Sequence, residues 1–241
     1  MSLPADQIRA IAFDYGNTLI QFTRPQIERC DAALVEALVG MFGPVDPVRV
    51  AEARDADRLA PYSGEFREND LPTITANLVT QLYGSPPTDA QLEQLLDLRF
   101  NSFVDAIEPP DYVVELLDRL GERYRLALAS NYPCSRAIRA SLERCGLADR
   151  LDPVVVSGDI GYVKPHARVF ATLAERLELE PGQVVFVGDN WLGDIQGARR
   201  AGMFAVHTLQ WDTPEKFDRE PDHLDAHLEI RHLTELADHL L

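Results

Sequence analysis

Lysine is almost missing from this 241-residue chain: Lys164 and Lys216 stand against 21 arginines. Positive charge as a whole is scarce, and the formal net charge is −16. That balance excludes a surface built for nucleic acid or for anionic membranes. It leaves room for a small anionic ligand, because one basic group and a metal ion outweigh a distant field. Cysteine is rare too. Cys30, Cys134 and Cys145 are odd in number and fit no zinc spacing, so a reducing, cytoplasmic compartment is expected. Cys134 has no base nearby in sequence and is not expected to be a nucleophile. No apolar run approaches the ~18 residues of a membrane helix. The opening MSLPADQIRAIAF lacks the basic-then-apolar order of an export signal, so none is expected.

What is present is a large apolar fraction, 46%, enough for a sizeable core in one large domain or two small ones. Two textures divide it. Between residues 25 and 107 the spacing is helical throughout, in four segments (IERCDAALVEALVGMF, PVRVAEARDADRLAPY, DLPTITANLVTQLYG and TDAQLEQLLDLRFNSFVDAI) broken by Pro, Gly and Ser. From about residue 110 short apolar runs alternate with amphipathic helices. Strands are expected at 125–130, 153–157, 183–188, 203–208 and 226–230, with helices near 111–121, 135–146, 166–179, 192–202 and 233–240. Together with a first strand at Ile8 to Phe13, this predicts an α/β fold: a Rossmann-like, doubly wound parallel sheet with an inserted helical domain. The expected division is a core of 1–21 plus 109–241 and a helical cap of 22–108.

In such a sheet, ligands bind beyond the carboxyl ends of the strands. Four segments are expected to bring polar groups to that edge: Asp14, Ser130-Asn131, Gly158-Asp159 and Gly188-Asp189-Asn190. A carboxylate on a rigid strand end serves as a nucleophile or a metal ligand. Asp14 with Asp189 and Asp194 is a hard, all-oxygen set of the kind magnesium favours. Thr18 and Ser130 offer hydroxyls to an oxyanion. Lys164 opens a helix whose amides also favour anions. These groups describe a magnesium-assisted phosphoryl site in which Asp14 attacks phosphorus.

The segments FDYGNTL (13–19), LASN (128–131), VKPHARVF (163–170) and VGDNWLGDIQGARRAGM (187–203) carry a resemblance as well. Their order and spacing resemble the four motifs of the haloacid dehalogenase superfamily over essentially the whole chain, with a helical cap inserted after the first strand. The resemblance implies that Asp14 is nucleophile and magnesium ligand, that the Gly16 carbonyl and Asp189 are further ligands, and that Asp194 is a ligand or the partner of one. Thr18, Ser130 and Lys164 would hold the phosphoryl group of a small phosphorylated substrate, with Gly16, Asn17 and Asn131 as substrate contacts.

One position departs from the pattern. The family's phosphatases read D-x-D-x-T, and their second Asp handles the proton of the leaving group; here that place is Gly16. General acid–base help is worth ~10²–10⁴ in rate, so a slow phosphatase is expected. The alternatives are a phosphate-binding protein without turnover, or a 2-haloacid dehalogenase. The dehalogenase branch carries a serine where Asp189 stands, and an acidic pair would repel a halo-carboxylate. The phosphonate-cleaving branch needs a cap lysine, and residues 22–108 contain none.

Several residues have plainer readings. His223 and His227 are expected on a loop leading into a strand, too far apart to share a metal. His166 is expected to cap a helix, Trp191 to pack or form a pocket wall, and Asn17 to accommodate an unusual backbone angle. Tyr15 should point to the opposite face from Asp14. Lys216 reads as a surface residue. In the cap, Arg24, Arg29, Tyr62, Arg67 and Arg99 are candidates for reading the substrate, although arginines on amphipathic helices usually face solvent.

Overall fold

A computed structural model describes residues 3–211 and 222–241; Lys216 lies outside the described residues. The sheet is built on strand β1 (Ala10–Phe13), flanked by β2 (Arg125–Ser130) and β4 (Val184–Gly188). β3 (Val154–Val156) lies beyond β2, and β5 (Phe204–Thr208) and β6 (Leu228–Ile230) lie beyond β4. The order is β3-β2-β1-β4-β5-β6, and every pairing is parallel. All six carboxyl ends therefore share one edge.

The strands alternate small and large. Ala10, Ala12, Ala127 and Ala129 face one side, where they meet α8 (Ala167–Leu177) and α9 (Gly197–Arg200). Ile11, Phe13, Leu126 and Leu128 face the other, under α5 (Asp111–Gly121), α6 (Ser135–Arg144) and α10 (Glu235–Leu240). Both faces are buried, so the sheet is doubly wound. Alanine on the α8 side lets that helix approach closely and leaves space for the Phe170–Phe186 ring pair, with centroids 5.3 Å apart.

Between β1 and β2 run α1 (Arg24–Phe42), α2 (Pro47–Leu59), α3 (Leu71–Tyr83) and α4 (Asp89–Ala106). They close around their own cluster of Leu34, Leu38, Val50, Leu78, Val79 and Leu95. Asp46 and Asp70 cap α2 and α3 through the amides of Val48 and Thr73, both at 2.9 Å. Two seams tie these helices to the sheet. Phe103 of α4 stacks on Tyr132, 4.1 Å between centroids. The loop before α3 pairs with the chain after β3 through Phe66 O and Val163 N (2.8 Å), Gly161 O and Glu68 N (3.1 Å), and the Ser157 hydroxyl donating to Glu68 Oε2 (2.5 Å).

Two expectations change here. Gly158-Asp159 does not reach the ligand edge: it forms a short helix, α7 (Ser157–Ile160), and Asp159 turns outward to Arg139 at 3.3 Å. Gly158 instead lies against the Pro133 backbone, where a Cβ would come within 2.8 Å. The helix expected at 192–202 begins as a π-helical turn, Trp191–Gln196, which becomes α9 only at Gly197. That wider turn aims Asp194 back at the sheet.

Candidate active site

The charged groups of the site come from three separate stretches of backbone: the end of β1, the segment ahead of α8, and the turn after β4. Asp14 continues β1, its amide donating to Val187 O at 2.8 Å. Immediately after it the chain must leave the sheet, and Asn17 takes a left-handed conformation (φ 57°) to do so. Its Oδ1 accepts the Phe22 amide at 2.9 Å, which closes the loop. Tyr15 goes the other way, as alternation predicts, and its hydroxyl meets Ser141 Oγ at 2.9 Å inside the core.

Lys164 comes from the segment ahead of α8. It does not open that helix, as the sequence had implied; His166 is the cap, accepting the Arg168 amide. The lysine is buried, and Nζ lies 2.5 Å from Asp14 Oδ1, 2.7 Å from Asp194 Oδ1 and 2.8 Å from Ala129 O. Asn131 holds its backbone from both sides: Oδ1 accepts the Lys164 amide at 2.7 Å, and Nδ2 donates to the Lys164 carbonyl at 3.1 Å. Nδ2 also lies 3.2 Å from the Tyr62 hydroxyl, so a residue of the helical insert reaches the site.

Asp194 is held by its own turn. Its Oδ2 accepts the Asn190 amide at 2.9 Å, while Asn190 Oδ1 accepts the Gly193 amide at 2.6 Å. Gly188 is required beside it, since a Cβ there would stand 2.2 Å from Asp194 Oδ2. Oxygens of Asp14, Asp189 and Asp194 all lie within 4.8 Å of one another. His207 contacts the Asp189 carbonyl at 3.0 Å. Thr18 is fully buried, its hydroxyl 3.5 Å from Asp14 Oδ2, so it faces the carboxylate and not open space. Ser130, Asn131, Gly16 and Asn17 line one cavity with Asp14, Lys164, Asp189 and Asp194, of about 1140 Å³.

The electrostatics are unbalanced. Burial, reinforced by Asp194, pushes the Asp14 carboxyl up to about 6 although Lys164 pulls the other way. Burial alone would lower Lys164, but Asp14 and Asp194 overrule it and hold the ammonium above the ordinary lysine range. Asp14 and Asp194, both buried, share the single Lys164 ammonium, a deficit of positive charge beside the half-buried Asp189. Asp194 Oδ1, close as it is to the lysine, receives no aligned hydrogen bond. An oxygen-only donor set with that deficit fits a divalent cation.

The profile of the haloacid dehalogenase-like hydrolases matches residues 8–202. The chain belongs to this family. Among curated haloacid dehalogenase-like relatives, a ribulose-1,5-bisphosphate 5-phosphatase from Halopiger xanaduensis is 26% identical, over 95% of this chain and 98% of its own. A phosphoserine phosphatase from Thermus thermophilus is 36% identical over 69% of this chain and 64% of its own. A solved 2-haloacid dehalogenase from Pseudomonas syringae superposes with a TM-score of 0.72, at 26% identity, covering 97% of this chain and 98% of that one.

Of the arginines singled out in the insert, Arg24 is exposed and pairs with Glu28, Arg29 donates to Ala106 O, and Arg67 lies over the Tyr162 ring. Arg99 lines the cavity with Tyr62. Sequence reasoning missed Arg54, Asp31, Asp57 and Glu68, which line it as well. A signal existed for Arg54: it lies one turn from buried Val50, on the stripe that should be apolar. His223 and His227 are indeed separate, the first accepting the Trp191 indole N–H at 3.3 Å and the second beside Arg199.

Proposed function

We propose that the protein is a magnesium-dependent phosphatase of small phosphorylated metabolites, working through an aspartyl-phosphate on Asp14. The observation that supports this most is the cluster of Asp14, Asp189 and Asp194, in which buried Asp14 and Asp194 share the single Lys164. Asp14, Asp189, Asp194 and the Gly16 carbonyl would hold the metal, which when bound supplies charge neutralisation for the transferring phosphoryl group. Residues 22–108 act as the cap, over a core of 1–21 and 109–241. The phosphatase names of the relatives favour this reading over carbon–halogen hydrolysis, and so does an acidic Asp189 in the cluster.

One oxygen of Asp14 bonds to phosphorus as the ester P–O bond breaks. Thr18 steadies that carboxylate from behind. Lys164 and the Ser130 hydroxyl hold non-bridging oxygens of the phosphoryl group, and Asn131 fixes Lys164 for the task. Water then cleaves the aspartyl-phosphate, releasing phosphate and regenerating Asp14. Gly16 has no proton to give, so the departing alkoxide draws one from the substrate or from water. Aryl and acyl phosphates, whose leaving groups need no proton, are therefore the best substrates. The three free thiols and the absence, among the described residues, of any helix long and apolar enough to cross a membrane fit a cytoplasmic enzyme.

Hydrolysis of p-nitrophenyl phosphate and acetyl phosphate against magnesium concentration tests this, with Asp14→Asn as control. Magnesium-dependent turnover that falls at least ~10³-fold in Asp14→Asn is expected, in line with loss of a covalent nucleophile. Phosphate binding without turnover on either ester would favour the reading that Gly16 itself raises, a phosphate-binding protein on the same scaffold.

A further inference from the structure

Arginines on amphipathic helices normally face water. Of the four in the insert that line the cavity, Arg24 and Arg58 are exposed and paired with Glu28 and Asp55, whereas Arg54 and Arg99 lie deeper. Leu95, Arg99 and Phe103 succeed one another at four-residue steps along α4, and both neighbours of Arg99 are buried. Arg99 therefore occupies the apolar stripe of its helix and lines the cavity. Its hydrogen bond goes to a neutral group, Thr75 Oγ1 at 2.8 Å. Among the described residues no carboxylate comes within the 4.0 Å of an ion pair with it. Arg54 is one turn on from buried Val50 in α2 and lies close enough to act on Arg99. Arg54 has a partner, Asp31, which its Nη1 contacts directly. Asp57 faces both arginines from beyond ion-pair distance. The cavity wall at this end thus holds one guanidinium whose charge nothing neutralises at contact. Burial and the neighbouring Arg54 push that group down to about 10, which still leaves it a cation at neutral pH.

Tyr132 connects this end to the phosphoryl site. It follows Ser130 by two residues, so their Cα atoms are at most about 7.6 Å apart. Its ring stacks on Phe103, one turn from Arg99, and both arginines act on its hydroxyl. Arg99, Arg54 and Tyr132 line the same cavity as Lys164.

We propose that Arg99, supported by Arg54 and the Tyr132 hydroxyl, forms a second anion subsite that takes the carboxylate of a small phosphorylated acid. This rests on reading the Asp14 end as a phosphoryl site. A planar guanidinium fork matches a carboxylate in shape. One uncompensated positive charge also matches its single negative charge better than the charge of about −2 on a second phosphate. The substrate class is then a phosphorylated hydroxy acid of a few carbons, bound by both ends.

The test is a calorimetric comparison of phosphonates, which bear the phosphoryl-like head but no cleavable ester. Phosphonoacetate, 3-phosphonopropionate and 4-phosphonobutyrate are each titrated in magnesium against the alkylphosphonate of equal chain length. At least one carboxylate compound is expected to bind tenfold or more tightly than its partner. That preference should fall below threefold in Arg99→Gln and return in part in Arg99→Lys. Equal affinities at all three lengths, no binding by any carboxylate compound, or a preference that survives in Arg99→Gln would each overturn the subsite. Turnover of p-nitrophenyl phosphate, measured alongside, separates the two claims. Turnover without a carboxylate preference removes the subsite and leaves the phosphatase. A preference without turnover removes the phosphatase and leaves the subsite.

Discussion

Under the proposed function, replacing Gly16 by aspartate should extend hydrolysis from esters with good leaving groups to those with poor ones. The backbone admits the change. Gly16 is outside the set of glycines with positive φ, and a Cβ there would meet only Phe22 Cβ, at an ordinary 3.7 Å. Gly16 lines the cavity with Asp14, so the new carboxyl would enter the same cavity as the proposed nucleophile. A correctly placed general acid contributes ~10²–10⁴ in rate, or about 3–5.5 kcal/mol off the barrier. That gain should appear in kcat/KM for an alkyl phosphate such as glycerol phosphate. For p-nitrophenyl phosphate it should be less than about threefold, because nitrophenolate leaves without a proton. The substitution also brings a fourth acid to a cluster already short of positive charge. At ~7 Å and an effective dielectric of ~20 each like pair costs about 2 kcal/mol. Loss of glycine's freedom in the unfolded chain returns at most about 1 kcal/mol. Metal-free Gly16→Asp should therefore melt lower than the parent, and magnesium should raise its melting temperature more than the parent's. An equal acceleration of both esters, or no acceleration of the alkyl ester in a folded, magnesium-binding variant, would refute the assignment of Gly16 as the missing proton carrier.

Lys164→Met should destabilise the metal-free protein by about 3–5 kcal/mol in urea at pH 7, since it leaves buried carboxylates unpaired, with part of the loss recovered by magnesium; unchanged stability would mean that Asp14 and Asp194 have other compensation. Gly188→Ala drives a methyl group to 2.2 Å from Asp194 Oδ2. It should cost about 1–3 kcal/mol and weaken magnesium binding, read as a smaller rise in melting temperature on adding the metal. The Glu68 carboxyl is held above its ordinary 4.5 chiefly by burial, the Ser157 hydroxyl opposing. A raised folded value means that ionised Glu68 costs stability, and the cost grows as pH rises from 4.5 upward. Glu68→Gln should therefore gain on the parent between pH 4.5 and 7.5, by urea midpoints at each pH; a difference constant with pH would show that Glu68 does not titrate in that window.

The strand ends were legible because apolar runs of five or six residues stop at a polar group, which core packing alone never demands. That reasoning found Asp14, Ser130 and Asp189, and it located the four helices of the insert by their Pro, Gly and Ser breaks, Gly43-Pro44 among them. It failed at Gly158-Asp159, since the end of an apolar run does not reveal whether the chain then turns toward the ligand edge or away along the sheet. It also did not foresee what Asn131 does. An asparagine after a strand is equally at home in a turn, and its grip on the Lys164 backbone joins residues 33 positions apart. The Lys164 ammonium meets Asp14 across 150 positions, a distance over which local spacing carries no information. Arg99 illustrates a different limit. It was noticed and set aside because arginines favour the solvated face, whereas its place between Leu95 and Phe103 was the more telling fact.

The position of β1 also governs how the protein comes to be made. It leaves the ribosome ahead of the other five strands of the sheet, yet its neighbours on both sides are late: Ala10 pairs with Arg125 on one side and with Val184 on the other. Until β4 has been synthesised, one edge of the central strand has no native partner. The helical insert emerges in between, with largely local contacts and its own small core, so it is free to fold early while the sheet waits. Nascent chains halted before residue 184 should hold a structured insert beside an open, apolar strand edge, the kind of surface that pairs with other chains. Pulse-labelled hydrogen exchange during refolding should accordingly show amides of the insert helices protected ahead of those of Ala10 to Phe13.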